Sequence, residues 1–154
     1  YFGPILTLLI LTLAAGNFLS TLLNRRFAPM RVSFIGYTGV LIGFLIFMAQ
    51  PGAWLFLVGA ALFELCLGIH QGAASVWLHD MVSSEKRASF MSALSSVGSL
   101  VGLVVPLLSG FLMDTLGFRA VWGIGAAAVS GALLILLGLA SPAVKEGKPE
   151  CRTS

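Results

Sequence analysis

The sequence predicts an all-α fold, a polytopic bundle of transmembrane helices, and three observations carry that expectation. Apolar residues make up 58% of the 154-residue chain and charged residues only 10%, where a soluble domain carries about 25%. The mean hydropathy is +0.99, more apolar surface than a water-soluble fold of this size can hide. The apolar residues also fall into five runs, each close to the roughly 20 helical residues that cross a bilayer. The runs lack the alternation of strands, and in lipid a helix satisfies its own backbone hydrogen bonds over such a length.

In chain order, the first span is expected near residues 4–23 and ends in the polar connection "NRRFAPMR". The second lies near 32–50 and stops at Pro51-Gly52, a strong turn signal. The third lies near 53–78, with Trp54 and Trp77 separated by 23 residues. That is about 35 Å of helix, which suits aromatic anchors at opposite interfaces. "HDMVSSEKRA" leads to the fourth span, near 89–113, and "DTLGFR" to the fifth, near 120–140. Phe118 and Trp122 are expected to anchor its outer end. Residues 1–140 thus form one membrane bundle. The remainder, 141–154, is polar, contains two prolines and reads as a disordered tail.

Successive connections fall on opposite sides of the membrane, so basic residues can be counted by side. Arg25, Arg26, Arg31, Lys86, Arg87, Lys145, Lys148 and Arg152 share one side, and Arg119 alone occupies the other. Eight against one places the tail in the cytoplasm, in a protein of the plasma (inner) membrane. The net charge of +3 does not indicate a nucleic-acid partner, because the basic residues sit in short loops and form no continuous face. Cys66 lies in an apolar run and Cys151 in the tail, an arrangement that argues against a disulfide.

Small residues recur at helix-packing intervals. The second span has Gly36, Gly39 and Gly43; the fifth has Gly123, Ala127 and Gly131. The fourth has Ser92, Ser95, Gly98, Ser99, Gly102 and Gly110, with Pro106 between. Such spacing lets helix backbones approach closely in lipid.

The third span contains "FELCLGIHQG", residues 63–72, which puts Glu64, His70 and Gln71 in an apolar setting. Glu64 falls near the bilayer midplane. On a helical wheel Ala61, Glu64, Gly68, Gln71, Gly72 and Ser75 share one small, polar side, whereas His70 lies about 120° from Glu64. Intramembrane ionisable residues mark substrate or ion pathways, so Glu64 is the leading candidate for a substrate or proton site. The competing reading is a glutamate bonded between helices. Gln71, on the same stripe, and Asn17 of the first span pose the same choice, as does His70 between proton relay and interface.

The segment "RASFMSALSSVGSLVGLVVPLLSGFLMDTLGFRAVW" resembles the late-helix region of the major facilitator superfamily of secondary transporters. The positions that carry the resemblance are Arg87-Ala88, Gly102, Pro106, Gly110, Asp114, Gly117, Phe118, Arg119 and Trp122. "GNFLSTLLNRRFAPMR" is similar to that family's glycine-acid-basic loop, with Asn24 where an acid is expected. The resemblance implies that the five spans are helices eight to twelve of twelve, with an N-terminal half completing the transporter. It implies further that the third span lines a central cavity and that access to it alternates. Arg87, Gly102, Pro106, Gly110, Asp114, Gly117 and Arg119 are then structural, the Asp114–Arg119 pair as an ion pair or cap.

No metal-ligand spacing, phosphate loop or nucleotide fingerprint appears in the sequence, so no cofactor is expected and transport would draw on an ion or solute gradient. His79, Asp80 and nearby serines lack a nucleophile elbow, and catalysis is not expected. The expected function is secondary transport of a small solute, with Glu64 offering proton coupling; the resemblance suggests efflux. The alternatives are a non-transporting membrane scaffold, for which Glu64 is dispensable, and a membrane-embedded enzyme.

Overall fold

A computed structural model describes residues 2–49 and 52–146. Five helices follow one another: α1 (Phe2–Asn24), α2 (Pro29–Met48), α3 (Ala53–Met81), α4 (Ser84–Leu116) and α5 (Phe118–Glu146). All five are long and apolar enough to cross a membrane, and no strand occurs among the described residues. The chain is therefore an integral, multi-pass membrane protein.

The helices overrun the expected spans, because hydropathy marks the lipid boundary and not the end of the helix. α4 begins at Ser84, five residues before the apolar run, with Glu85 in its first turn, where a carboxylate suits the helix dipole. The expected connection "HDMVSSEKRA" thereby shrinks to Val82–Ser83. α5 continues to Glu146, into the segment expected to be an unstructured tail. Ala140, Ala143, Lys145 and Glu146 are good helix formers, and their polarity does not interrupt the backbone. Residues 147–154 of that expected tail, including Cys151, lie outside the described residues.

α3 is the hub, packed between α1 and α2, while α2 in turn packs against α5 and α5 carries α4. Glycines make the α1–α3 contact. A Cβ at Gly16 would strike the Leu65 carbonyl oxygen, and one at Gly68 would strike that of Leu13. Backbone meets backbone there, as small residues permit in lipid. On α2 the expected glycine face is the one turned to α3. A Cβ at Gly36 would come within 2.7 Å of the His70 backbone nitrogen, and one at Gly43 within 2.9 Å of the Phe63 ring. Val32, Ile69 and Ala73 are buried between these helices.

Two expected packing faces differ. On α5 the close approach to α2 is made by Gly125, where a Cβ would strike the Phe44 ring, with Ala126 buried beside it. Of the expected Gly123–Ala127–Gly131 series, Gly123 lies in ordinary contact range of the Met48 thioether of α2, at 3.7 Å, whereas Gly131 meets nothing within 4 Å. The interval was right for a helix contact, but the neighbouring register is the one turned inward. On α4 no residue is buried, and Gly98, Gly102 and Gly110 all face open space. α4 remains helical through Pro106, whose missing N–H leaves one backbone carbonyl without its usual donor.

An aromatic cluster where α2 ends and α3 and α5 begin ties the three helices together. The Phe47 and Trp122 ring centroids are 4.6 Å apart, those of Phe47 and Phe56 4.9 Å, and those of Phe118 and Trp122 5.5 Å. Trp122 thus packs into the bundle instead of standing only as an interface anchor, whereas Trp54 is 83% exposed.

Candidate substrate site

Polar side chains inside these helices mostly bond to their own backbone. Thr12 donates to the Leu9 carbonyl at 2.8 Å, Ser20 to Asn17 at 2.7 Å and Ser75 to Gly72 at 2.9 Å. The same habit on α4 joins Ser96 to Ser92 and Ser99 to Ser95. This arrangement satisfies a hydroxyl in lipid without a partner helix. Glu64 and Gln71 lack that local solution.

The packing around α3 separates the residues that the helical wheel had grouped. Leu65, Gly68 and Gly72 face α1, where Gly72 lies against the Ser20 hydroxyl. Phe63, Cys66 and His70 face α2. Glu64 and Gln71 lie about 20° apart around the helix, outside both sets of contacts. Glu64 is half-buried and Gln71 exposed. The polar stripe therefore has two parts: Gly68 and Gly72 form a helix contact, and the half-buried Glu64 and exposed Gln71 form an edge beside it.

His70 sits elsewhere. Its Nδ1 shares a 2.8 Å hydrogen bond with the Ser33 hydroxyl, and its ring centroid lies 3.8 Å from that of Tyr37. Ser33 is itself buried. Asn17 donates from Nδ2 to the Leu13 carbonyl at 3.2 Å, within the α1–α3 contact. The structure thus brings Glu64 and Gln71 onto one edge and places His70 and Asn17 in two different helix contacts. Ser33 and Tyr37 were missed in the sequence, although with Gly36 they fall at helical spacing on one side of the second span.

The motif residues of α4 act at its two ends. The Arg87 guanidinium donates to the carbonyls of His79 at 3.0 Å and Val82 at 3.4 Å. It thereby satisfies acceptors that α3 leaves open at its C-terminus. Gly117 separates α4 from α5 with φ +85° and ψ 163°, its amide donating to the Met113 carbonyl at 3.1 Å. That backbone conformation is essentially restricted to glycine. Asp114 and Arg119 flank the turn without forming an ion pair, since no basic nitrogen and carboxylate oxygen approach within 4.0 Å among the described residues. Gly102, Pro106 and Gly110 line the bare part of α4.

A separate cleft of about 440 Å³ lies between α2, α4 and α5, lined by Phe44, Val105, Leu112, Trp122 and Ala128 among others. None of the candidate site residues borders it, and its lining offers little to hold a polar solute. No group of three His, Cys, Asp or Glu side chains placed to hold a metal ion occurs among the described residues.

No curated protein and no solved structure matches the chain at a significant level. A family model does, described as the Major Facilitator Superfamily, over residues 1–152. That match spans all five helices, the Glu64 edge of α3 and the Arg87 and Gly117 junctions of α4. With nearly the whole chain inside it, the chain belongs to the major facilitator superfamily.

Proposed function

We propose that this chain supplies helices eight to twelve of a secondary transporter, in keeping with a family whose members move small solutes across a membrane, that it works by alternating access, and that Glu64 is its proton or substrate site. The observation that carries the reading is the edge of α3 that holds Glu64 and Gln71, outside the contacts with α1 and α2. A carboxyl near the middle of a membrane span is retained at a cost of several kcal/mol, roughly 2.5 or more on insertion scales. Its half-buried placement on an edge outside the glycine contacts with α1 and α2, without a hydrogen bond among the described residues, favours a cavity over a helix contact. The bare small-residue face of α4 fits the same reading, with an N-terminal half as the partner that covers it.

In this scheme Glu64 takes up a proton when the cavity opens to one side and releases it on the other. Solute and proton movement are coupled if protonation changes solute affinity or the balance of the two states. Gln71, on the same edge, offers an amide donor and acceptor to a polar solute. The direction of transport proposed is efflux, and the orientation proposed has the C-terminus in the cytoplasm of a plasma (inner) membrane.

The test is transport in proteoliposomes by the complete transporter, with and without an imposed pH gradient. Glu64→Gln mimics the protonated form and is expected to abolish gradient-driven accumulation while leaving solute binding. An undiminished response to the gradient sinks the coupling role and leaves Glu64 as a helix contact. Orientation has its own check, in a Cys66→Ala, Cys151→Ala background. A cysteine at Gly52 or Thr115 is expected to react with an impermeant thiol reagent outside intact cells, and one at Ser84 to be protected. Labelling at position 84 would reverse the proposed topology.

A further inference from the structure

The α1–α2 turn carries a concentration of positive charge with no paired carboxylate among the described residues. Arg25 and Arg26 stand in the turn and Arg31 in the first turn of α2, and all three are exposed. The turn is well defined, with the Arg26 amide donating to Leu23 at 3.0 Å and the Arg31 amide to Ala28 at 2.9 Å. Three arginines are therefore held within seven residues of ordered backbone.

Among the described residues no acidic side chain is placed to supply their counter-charge. Glu64 is the first acidic residue of the sequence, so α1, the turn and α2 contain none. Asn24 occupies the position before Arg25, and its amide donates to nothing and accepts from nothing. α2 starts with no acidic residue in its first turn and no side-chain cap. No carboxylate lies within 4.0 Å of any of the three guanidinium groups among the described residues. Arg87, by contrast, is occupied with the carbonyls of His79 and Val82.

A second feature says where the balancing anion sits. Phe27, directly after Arg26, is 47% exposed. The turn joins two membrane spans, so its ring and the arginines meet the level where acyl chains give way to headgroups. An aromatic ring beside guanidinium groups at that depth matches an amphiphile with an anionic head, and guanidinium groups bind phosphate in a bidentate fashion.

We propose that the α1–α2 turn is a binding site for the headgroup of an anionic phospholipid, with Arg25, Arg26 and Arg31 as its phosphate ligands and Phe27 seated against the lipid. This goes beyond the transport reading and does not depend on it, because it concerns a surface away from Glu64 and a ligand that is not carried.

The test is competitive lipid retention by the purified chain in detergent, followed by native mass spectrometry. Phosphatidylglycerol and phosphatidylcholine with identical acyl chains are offered in equal amounts, so the direction of membrane insertion plays no part. Phosphatidylglycerol is expected to be preferred, each arginine contributing about fivefold at low salt. The preference should fall stepwise through Arg26→Gln, the Arg25→Gln/Arg26→Gln pair and the triple glutamine variant. It should persist in the triple lysine variant and in Arg119→Gln, at the other end of the bundle. Far-UV circular dichroism is expected to be unchanged in all of them, since these side chains are exposed and unbonded. A triple glutamine variant that keeps the full preference overturns the assignment, and so does an equal loss in Arg119→Gln. Displacement of the lipid by an equal concentration of glycerol 1-phosphate also overturns it, by showing a soluble-anion site.

Discussion

α3 and α4 are built from similar materials and end in opposite situations. Both combine branched aliphatic residues with glycine and serine at helical spacing. α3 is gripped on two sides, with Gly59, Gly68 and Ala73 buried. α4 is longer, at 33 residues, and buries none. The difference teaches that a small-residue stripe records the capacity for close packing, while the partner decides whether that capacity is used. At Gly68 the partner is the backbone of α1; at Gly102 nothing lies within 4 Å. The two helices also treat polar side chains differently. Ser96 and Ser99 of α4 bond back to carbonyls of their own helix, whereas α3 sends His70 across to Ser33 and leaves the half-buried Glu64 on its edge.

Substitutions can break this contrast in graded steps. The largest effect is expected at Gly68→Val, which forces side-chain carbons onto the Leu13 carbonyl and the Asn17 amide of α1. Neither neighbour is a flexible side-chain end, so a loss of about 3 kcal/mol is expected. A fall in the thermal midpoint of helical ellipticity in detergent checks it. Gly117→Ala comes next. It meets open space, yet its φ of +85° is one that alanine tolerates poorly. A loss of about 1–2 kcal/mol follows from backbone strain alone. A variant as stable as the parent would show that the α4–α5 turn can relax.

Ser33→Ala sharpens the other side of the comparison. It removes the bond to His70 Nδ1 while keeping the Tyr37 stack, at an expected cost of about 0.6 kcal/mol. The His70→Phe variant should lose the same bond and restore part of the packing, which separates the hydrogen bond from the ring. The smallest effect is expected at Gly102→Val, within about 0.5 kcal/mol in this chain. In the complete transporter the same change should impair folding or transport if the N-terminal half packs there. An equal response in both contexts would mean that α4 needs no partner.

Much of the bundle was legible because lipid permits so few solutions. Length and hydropathy alone gave five helices in the right order, and the glycines of the second span gave its packing face. Helix ends were less legible, since Ser84–Ala88 and Ser141–Glu146 are polar yet helical. The register of α5 was also hidden: Gly123, Gly125 and Gly131 look alike, and only the position of Phe44 selects Gly125. At the candidate site, the wheel placed Glu64 and Gln71 together and His70 apart. It had no means of separating Gly68 and Gly72 from them, because that division depends on where α1 crosses. The His70–Ser33 pair joins residues 37 apart in sequence, and no local pattern reports such a distance.

The aromatic cluster around Trp122 has an optical consequence. Trp122 is held among Phe44, Phe47 and Phe118, with ring centroids 5.7, 4.6 and 5.5 Å away, while Trp54 stands exposed. Rings fixed at such separations in asymmetric surroundings give ellipticity in the near-ultraviolet, and freely turning ones do not. The band that belongs to Trp122 therefore monitors the seam between α2 and α5. If α5 swings away while every helix stays wound, the Trp122 contribution to the near-ultraviolet signal disappears and the far-ultraviolet signal remains. The protein thus carries a built-in chromophore that distinguishes loosening of the bundle from melting of its helices.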